Sequence, residues 1–226
     1  MHHLAASILS ADRTRLDDEV RRVIAAGVDA LHINVIDGHD RPNLTLGHVV
    51  CAQVRAHSSV PIGVQLRVPA VDALVERFAE AGADLITVHP GVAQRTRDTL
   101  RLIARTGCQV GLAFDPAEPL DGLADLLEHV NLVHVACAAA ASASRHSQDS
   151  TLRKVQQARQ IIDASGRAVE LQVDGDIRSD NIRAVADAGA SRFVVGRAIF
   201  GHADYQAAVA ALRAGLDGGP GARVAA

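Results

Sequence analysis

A closed (β/α)8 barrel in one domain is the fold class that this sequence predicts, and three observations predict it. Apolar strand-like runs alternate with helical patterns eight times along the 226 residues. Three joints repeat one phrase: Ala26-Gly27-Val28-Asp29, Ala81-Gly82-Ala83-Asp84 and Ala188-Gly189-Ala190-Ser191. In each, a helix ends on small residues, Gly takes the left-handed cap position and a strand follows at once. No GxGxxG follows the first strand, which argues against an open dinucleotide-binding sheet.

In chain order, Leu4 to Leu9 is a short apolar strand, and Ser10 or Asp12 is placed to cap the helix after it. Leu16, Val20, Val23 and Ile24 carry helical spacing, and Gly27 ends that helix. Ala30 to Ile36 is the second strand. A helix over 49–57, a strand over 61–68 and a helix over 71–81 follow. The fourth strand is expected over 84–89, with a helix over 96–105. A strand over 110–114 precedes a helix over 120–128. A strand over 132–136 and a helix over 150–163 come next. A strand over 169–173 leads to a helix that Ser179 caps and that runs to Ala188. A strand over 191–195 and a helix over 205–216 close the chain. The barrel is expected over 1–217, and the Gly-rich 218–226 is expected to be a loose tail.

Composition excludes several function classes. Nearly half of the residues are apolar (48%) but only 2% are aromatic, so Val, Leu, Ile and Ala must build the core and base stacking is disfavoured. The formal net charge is −3 with both signs interleaved, which offers no electrostatic case for nucleic acid or an anionic membrane. No apolar run is long enough to span a bilayer, and the start lacks a signal-peptide pattern. The three cysteines, Cys51, Cys108 and Cys137, are far apart and form no CxxC. Reduced thiols in a cytoplasmic protein are expected.

The stretch Leu31-His32-Ile33-Asn34-Val35-Ile36-Asp37-Gly38-His39 is not a simple core strand. Strand parity puts His32 and Asn34 on one face and Ile33 and Val35 on the other, so the inner face reaches a polar site. Asp174 ends an apolar strand on the C-terminal side, where barrel enzymes keep their chemistry. His134 shares inner parity with Ala136, and His89 ends the fourth strand near the same rim. Each of these groups has a plain structural alternative: a carboxylate bonded to backbone N–H groups, or a buried imidazole with a partner.

Several phrases together resemble the ribulose-phosphate 3-epimerase family. They are Ser7-Ile8-Leu9-Ser10-Ala11-Asp12, His32 through His39, Pro42-Asn43-Leu44-Thr45-Leu46-Gly47, Val173-Asp174-Gly175, Asp180-Asn181-Ile182 and Gly196-Arg197-Ala198-Ile199-Phe200-Gly201. The resemblance runs from about Leu4 to Gly201. It implies a (β/α)8 barrel, a small sugar-like substrate and self-association. It also implies proton transfer beside a ketone by two opposed Asp groups, with a divalent metal held by two His and those same Asp groups.

At the positions carrying that chemistry this chain departs from the family. The family motif HxDxMDG stands here as His32-Ile33-Asn34-Val35-Ile36-Asp37-Gly38, so Asn34 replaces one catalytic Asp. Gln65 takes the place of the second His, with Arg67 two residues on. Only His32 and Asp174 remain of the four implied ligands, so no metal ligand set is assigned and a divalent metal is expected to be weak at best. The Gly-rich phosphate loop of the family is Ala140-Ala141-Ser142-Ala143-Ser144-Arg145 here. Its Gly-Gly is Gly175-Asp176 and its Gly-Ser is Gly196-Arg197. Arg197 is expected to pair with Asp176, and Arg67 and Arg145 add positive charge at the mouth.

The expectation is an epimerase or isomerase working by proton transfer beside a carbonyl, without the two-Asp metal mechanism. Its candidate catalytic groups are Asp174, His32 and His134. Ser7, Asn34, Gln65, Arg67, Asp176 and Arg197 are the candidate substrate-binding groups, with Ser7 matching a substrate-contacting Ser of the family. Two alternatives stay open: a lyase, decarboxylase or cyclase acting through an enolate, and a non-catalytic ligand-binding barrel. The single lysine, Lys154, falls on a predicted helix and offers no strand-borne Lys motif for the first of these.

Overall fold

The computed structural model describes residues 2–36, 46–90, 95–137 and 145–218. Eight parallel strands close into a barrel in sequence order. They are β1 (His3–Ser7), β2 (Ala30–Ile36), β3 (Ile62–Arg67), β4 (Leu85–Val88), β5 (Gln109–Phe114), β6 (Leu132–Ala136), β7 (Glu170–Asp174) and β8 (Arg192–Val195). The helices between them are α1 (Leu16–Ala25), α2 (His48–His57), α3 (Asp72–Glu80), α4 (Thr96–Arg105), α5 (Leu123–Leu126), α6 (Arg145–Ser165) and α7 (Ile182–Asp187). Two more, α8 (Arg197–Phe200) and α9 (Tyr205–Asp217), follow β8. Among the described residues, no helix is long and apolar enough to cross a membrane.

Several boundaries differ from the sequence expectation. β1 stops at Ser7 because Ile8–Ser10 tighten into a 3-10 turn. Asp12 accepts from Thr14 N at 3.0 Å and so caps a second 3-10 turn, and α1 proper starts only at Leu16. Ser179 does not cap α7. That helix begins at Ile182 after Asn181, whose Oδ1 accepts from Arg178 N at 2.8 Å. α6 starts at Arg145, five residues before the expected Ser150. The helix expected over 120–128 shrinks to α5 and a 3-10 turn at Leu127–His129. α8 went unpredicted because four residues are too few to show a helical period. The tail beyond 218 lies outside the described residues.

Strand parity sorts the side chains into two unlike environments. Outward residues such as Leu4, Ile33, Val64, Ile86, Leu112, Val133, Leu171 and Phe193 are fully buried in one core shared with the helices. Removing each such side chain from water stabilises the fold by about 1.5–3 kcal/mol. The inward face is small and polar. Ala5, Ala30 and Val194 make a minor apolar cluster, and His32, Gln65, Thr87, His134 and Gln172 are buried. Gly111 is needed here, since a Cβ on it would lie 2.2 Å from Thr87 Oγ1. A barrel interior with this much hydrogen-bonding capacity has to be internally paired.

The last helix is strapped to the first. Buried Glu19 of α1 accepts from Tyr205 Oη at 2.6 Å and from Arg22 Nη1 at 3.2 Å. The Arg22 guanidinium lies 4.3 Å from the Tyr205 ring centroid. Burial, then the Glu19 carboxylate, pushes the Tyr205 hydroxyl up to about 12. The native state therefore keeps a proton that the unfolded chain releases near pH 10. Stability from this group is fully present below pH 10 and is lost as pH rises towards 12. Tyr205 is the chain's single tyrosine and there is no tryptophan, so tyrosinate absorbance reports it alone. We expect a native midpoint near 12 that falls towards 10 in Glu19→Gln; a native midpoint near 10 would refute the strap.

Candidate functional site

The C-terminal ends of the strands form the polar mouth of the barrel. Parallel register sets Asn34 beside Gln65, Gln65 beside Thr87, and Asp174 beside both Ala136 and Val194. Two cavities open there. The larger, about 870 Å3, runs from Ser7, Asn34 and Asp174 past Asp176, Arg178 and Arg197 to α9. The smaller, about 170 Å3, is lined by polar Asn34, Gln65, Arg67 and Asp174, with Ala136 and Cys137 among its walls. Asn34 and Asp174 line both.

Gly175 holds the strand end in place. Its φ is +107°, and a Cβ there would lie 2.9 Å from Cys137 Cβ. This close approach lets Cys137 N donate to the Asp174 carbonyl at 2.6 Å, which fixes the backbone that carries the carboxylate. Burial, then Asp174, pushes the Cys137 thiol up to about 12, so it is not a poised nucleophile.

One hydrogen-bonded chain crosses the mouth. Ser7 Oγ donates to Asn34 Oδ1 at 3.1 Å, and Asn34 Nδ2 donates to Gln65 Oε1 at 3.1 Å. His32 Nε2 stands 3.3 Å from the same Gln65 oxygen. Gln65 Nε2 lies 2.8 Å from His89 Nε2. With the Gln65 amide in this orientation, its oxygen accepts a hydrogen bond from His32 Nε2 and its nitrogen donates to His89 Nε2. Below this chain His134 Nδ1 takes a 2.8 Å bond from Gln172 Nε2, and its ring stacks on His32 with centroids 5.8 Å apart.

The structure divides the candidate residues. It brings Ser7, Asn34, Gln65, Arg67, Asp174, Asp176 and Arg197 to the two cavities. It does not bring His32 or His134 to either. Register puts His134 beside Gln172, a step below the Ala136–Asp174 pair, and His32 beside Gly63, a step below Asn34. Both rings are almost fully buried. Burial holds His32 below the ordinary imidazole range and His134, also flanked by His32 and His89, well below it. Both therefore lie in the barrel interior beneath the two cavities, where burial disfavours the charged imidazole. Strand parity alone could not separate an inward residue at the mouth from one a layer deeper.

The rim is more self-paired than the sequence suggests. Arg197 Nη2 is 3.6 Å from Asp176 Oδ1, as expected, but Arg197 is largely exposed and the tighter partner of Asp176 is Arg178. Arg178 also pairs with Asp180 at 3.1 Å. Asp176 holds φ +50°, a left-handed conformation that costs a non-glycine residue energy. Arg178 went unpredicted because only the turn after β7 folds it back onto Asp176. Asp37 and residues 140–144 lie outside the described residues, as does the Arg145 side chain.

A second cluster lies beyond Gln65. Donor atoms of His89, Asp115 and Glu118 fall within 4.8 Å of one another, which makes a metal there conceivable on geometry. Two cations already serve it. Arg67 forms an ion pair with Asp115, and Lys154 Nζ donates to the main-chain carbonyls of Asp115 and Glu118. Burial raises the Glu118 carboxyl and lowers the Lys154 ammonium from their ordinary values. The resemblance instead implies a metal at the positions of His32, Asn34, Gln65 and Asp174, and the residues present do not fit one. Both lone pairs of the Gln65 oxygen face N–H groups, one of them the His32 nitrogen, and amide oxygens are poor ligands for such ions.

An eight-stranded parallel barrel with a carboxylate-bearing polar mouth at its C-terminal face defines the barrel-enzyme class. The Ribulose-phosphate 3 epimerase family matches residues 3–200, and the chain belongs to that family. It is 42% identical over 204 residues to a ribulose-phosphate 3-epimerase of Serratia marcescens, covering 90% of this chain and 97% of that protein. It is 43% identical over 205 residues to ribulose-phosphate 3-epimerase 1 of Cupriavidus necator, covering 89% and 85%. The crystal structure of KGPDC from Streptococcus mutans superposes with a TM-score of 0.72 over 96% of this chain and 98% of that one. At 14% identity that likeness concerns the fold alone. The curated relatives support an enzyme of the epimerase class.

Proposed function

We propose that this chain moves a proton at the carbon beside the carbonyl of a ketose or ketose phosphate, with Asp174 as the one group at the mouth that gives and takes it. The observation that carries the reading is the position of Asp174. It ends β7, is the single carboxylate among the described residues that line the smaller cavity, and lines the larger one as well. Asn34 lines the same space, but an amide cannot take up a proton at neutral pH. One acid–base group favours exchange on one face of the substrate over the two-base inversion implied by the family resemblance. Asp176 brings a carboxylate to the rim where the family's phosphate site would fall, which favours a ligand whose far end is not a dianion. A homo-oligomer in the cytoplasm, with one barrel over 1–217, is carried along from the resemblance and the chain pattern.

The test is deuterium uptake from heavy water into ribulose 5-phosphate and into unphosphorylated ribulose, followed by NMR. Exchange without inversion, faster for the unphosphorylated sugar, is the expected result. Exchange with inversion to xylulose 5-phosphate would show that a second acid–base group works and would sink the one-base reading. No exchange into either sugar would overturn the proposal.

A further inference from the structure

We propose that Arg67 is the fixed electrophile of the smaller cavity, a guanidinium that stabilises the negative charge formed when Asp174 removes a proton. The inference rests on the proton-transfer reading above.

Among the described residues lining that cavity, Arg67 is the one cation and Asp174 the one carboxylate. Both are set there by strands: Arg67 ends β3, two residues after Gln65 and on the same inward parity, and Asp174 ends β7. The Arg67 side chain is only 10% exposed. A charge so withdrawn from water acts strongly on anything else in the cavity.

Its orientation is built in. The guanidinium pairs through Nη2 with Asp115, just past the end of β5. Asp115 stands at the head of a closed turn: Glu118 N donates to its carbonyl at 3.1 Å, and its own N donates to Glu118 Oε2 at 3.2 Å. Lys154, reaching in from α6, donates to the carbonyls of both ends of that turn. The anchor is therefore held from two sides before any ligand arrives, which is the condition for electrostatic preorganisation. The same contacts explain why His89, Asp115 and Glu118 lie close together without requiring a metal: Arg67 and Lys154 balance the two carboxylates.

The chemistry balances without a co-reactant. Asp174 takes the proton from the carbon beside the carbonyl. The C–H electron pair becomes the new C=C bond and the carbonyl π pair moves onto oxygen, leaving an enolate oxygen facing Arg67. Return of the proton from Asp174 to carbon reverses the shift. A permanent cation with five N–H donors in a plane suits an oxygen that gains charge only in the transition state. Because the amide belt of Asn34 and Gln65 is committed to internal hydrogen bonds, the positive charge comes from beside it.

Glycolohydroxamate, a planar mimic of an enediolate, is the probe, titrated calorimetrically into the whole chain at a mildly alkaline pH that ionises the hydroxamic acid, with a chelator present. We expect wild type to bind it, Arg67→Met to weaken binding at least about tenfold, and Arg67→Lys to weaken it less, since a charged hydrogen bond is lost or merely misshapen. Arg67→Met leaves Asp115 without its cation, so the double variant Arg67→Met/Asp115→Asn, checked for native melting, must show the same loss. Unchanged affinity in the folded double variant would overturn the proposal. So would failure of wild type to bind the mimic, or binding that appears only when a divalent metal is added. Deuterium exchange separates this proposal from the reading beneath it: exchange retained with mimic binding independent of Arg67 sinks only Arg67, whereas mimic binding lost with Arg67 but no exchange sinks proton transfer and leaves Arg67 an anion-binding residue without the electrophile role.

Discussion

Asp174→Asn is expected to lower the rate of deuterium exchange into the sugar by roughly a thousandfold while leaving the fold intact. The substitution keeps the shape of the side chain and removes its ability to take up a proton. The strand beneath it is held by groups that the change does not touch, namely the pairing with β6 and β8 and the bond from Cys137 N to the Asp174 carbonyl. Among the described residues, the nearby Asp176 is tied to Arg178 and Arg197. His32 and His134 are buried below the mouth and held neutral by burial. Removing the Asp174 charge takes away an influence that favours protonated His32, so His32 becomes still less able to act as an acid. The check is exchange measured by NMR together with thermal melting of both proteins. Exchange within a few fold of wild type, in a protein that melts normally, would remove Asp174 from the mechanism.

The fold was legible because it repeats. Three helix–strand joints repeat one glycine stop phrase, and alternation of apolar runs survives errors of two or three residues at any one boundary. What was not legible depends on depth and on return contacts. Parity places His134 and Asp174 on the same inner face, but their heights along the barrel axis follow from the register of β6 against β7. Likewise Lys154 looks like an ordinary helix residue, and only the packing of α6 delivers its ammonium to the turn after β5. The replacements at Asn34 and Gln65 were visible as departures from a motif. That they bond to each other, and through Gln65 to His32 and His89, is a fact of strand pairing that spacing along the chain cannot supply.

Gly175→Ala should damage both stability and rate, and it distinguishes this glycine from others in the barrel. At φ +107° any L side chain is strained, at a cost of about 1–2 kcal/mol. The new Cβ would also meet Cys137 Cβ at 2.9 Å and its carbonyl oxygen at 3.1 Å, and such overpacking adds about 1–3 kcal/mol. The combined loss of roughly 2–5 kcal/mol should lower the melting temperature by several degrees in a chain of this size. Relief of the clash must pull the end of β7 away from β6. The first thing displaced is then Asp174, joined to Cys137 by its own carbonyl. A shift near 1 Å in a proton-transferring group lowers rate by about a hundredfold. Gly27→Ala is the control. Its φ is +94°, yet nothing lies within 4 Å of the new Cβ, and it caps a helix on the opposite end of the barrel from the mouth. It should cost about 1 kcal/mol and leave exchange unchanged. Melting curves and exchange rates for the two variants decide the matter: equal rate losses would mean that the close approach of Gly175 to Cys137 does not position Asp174.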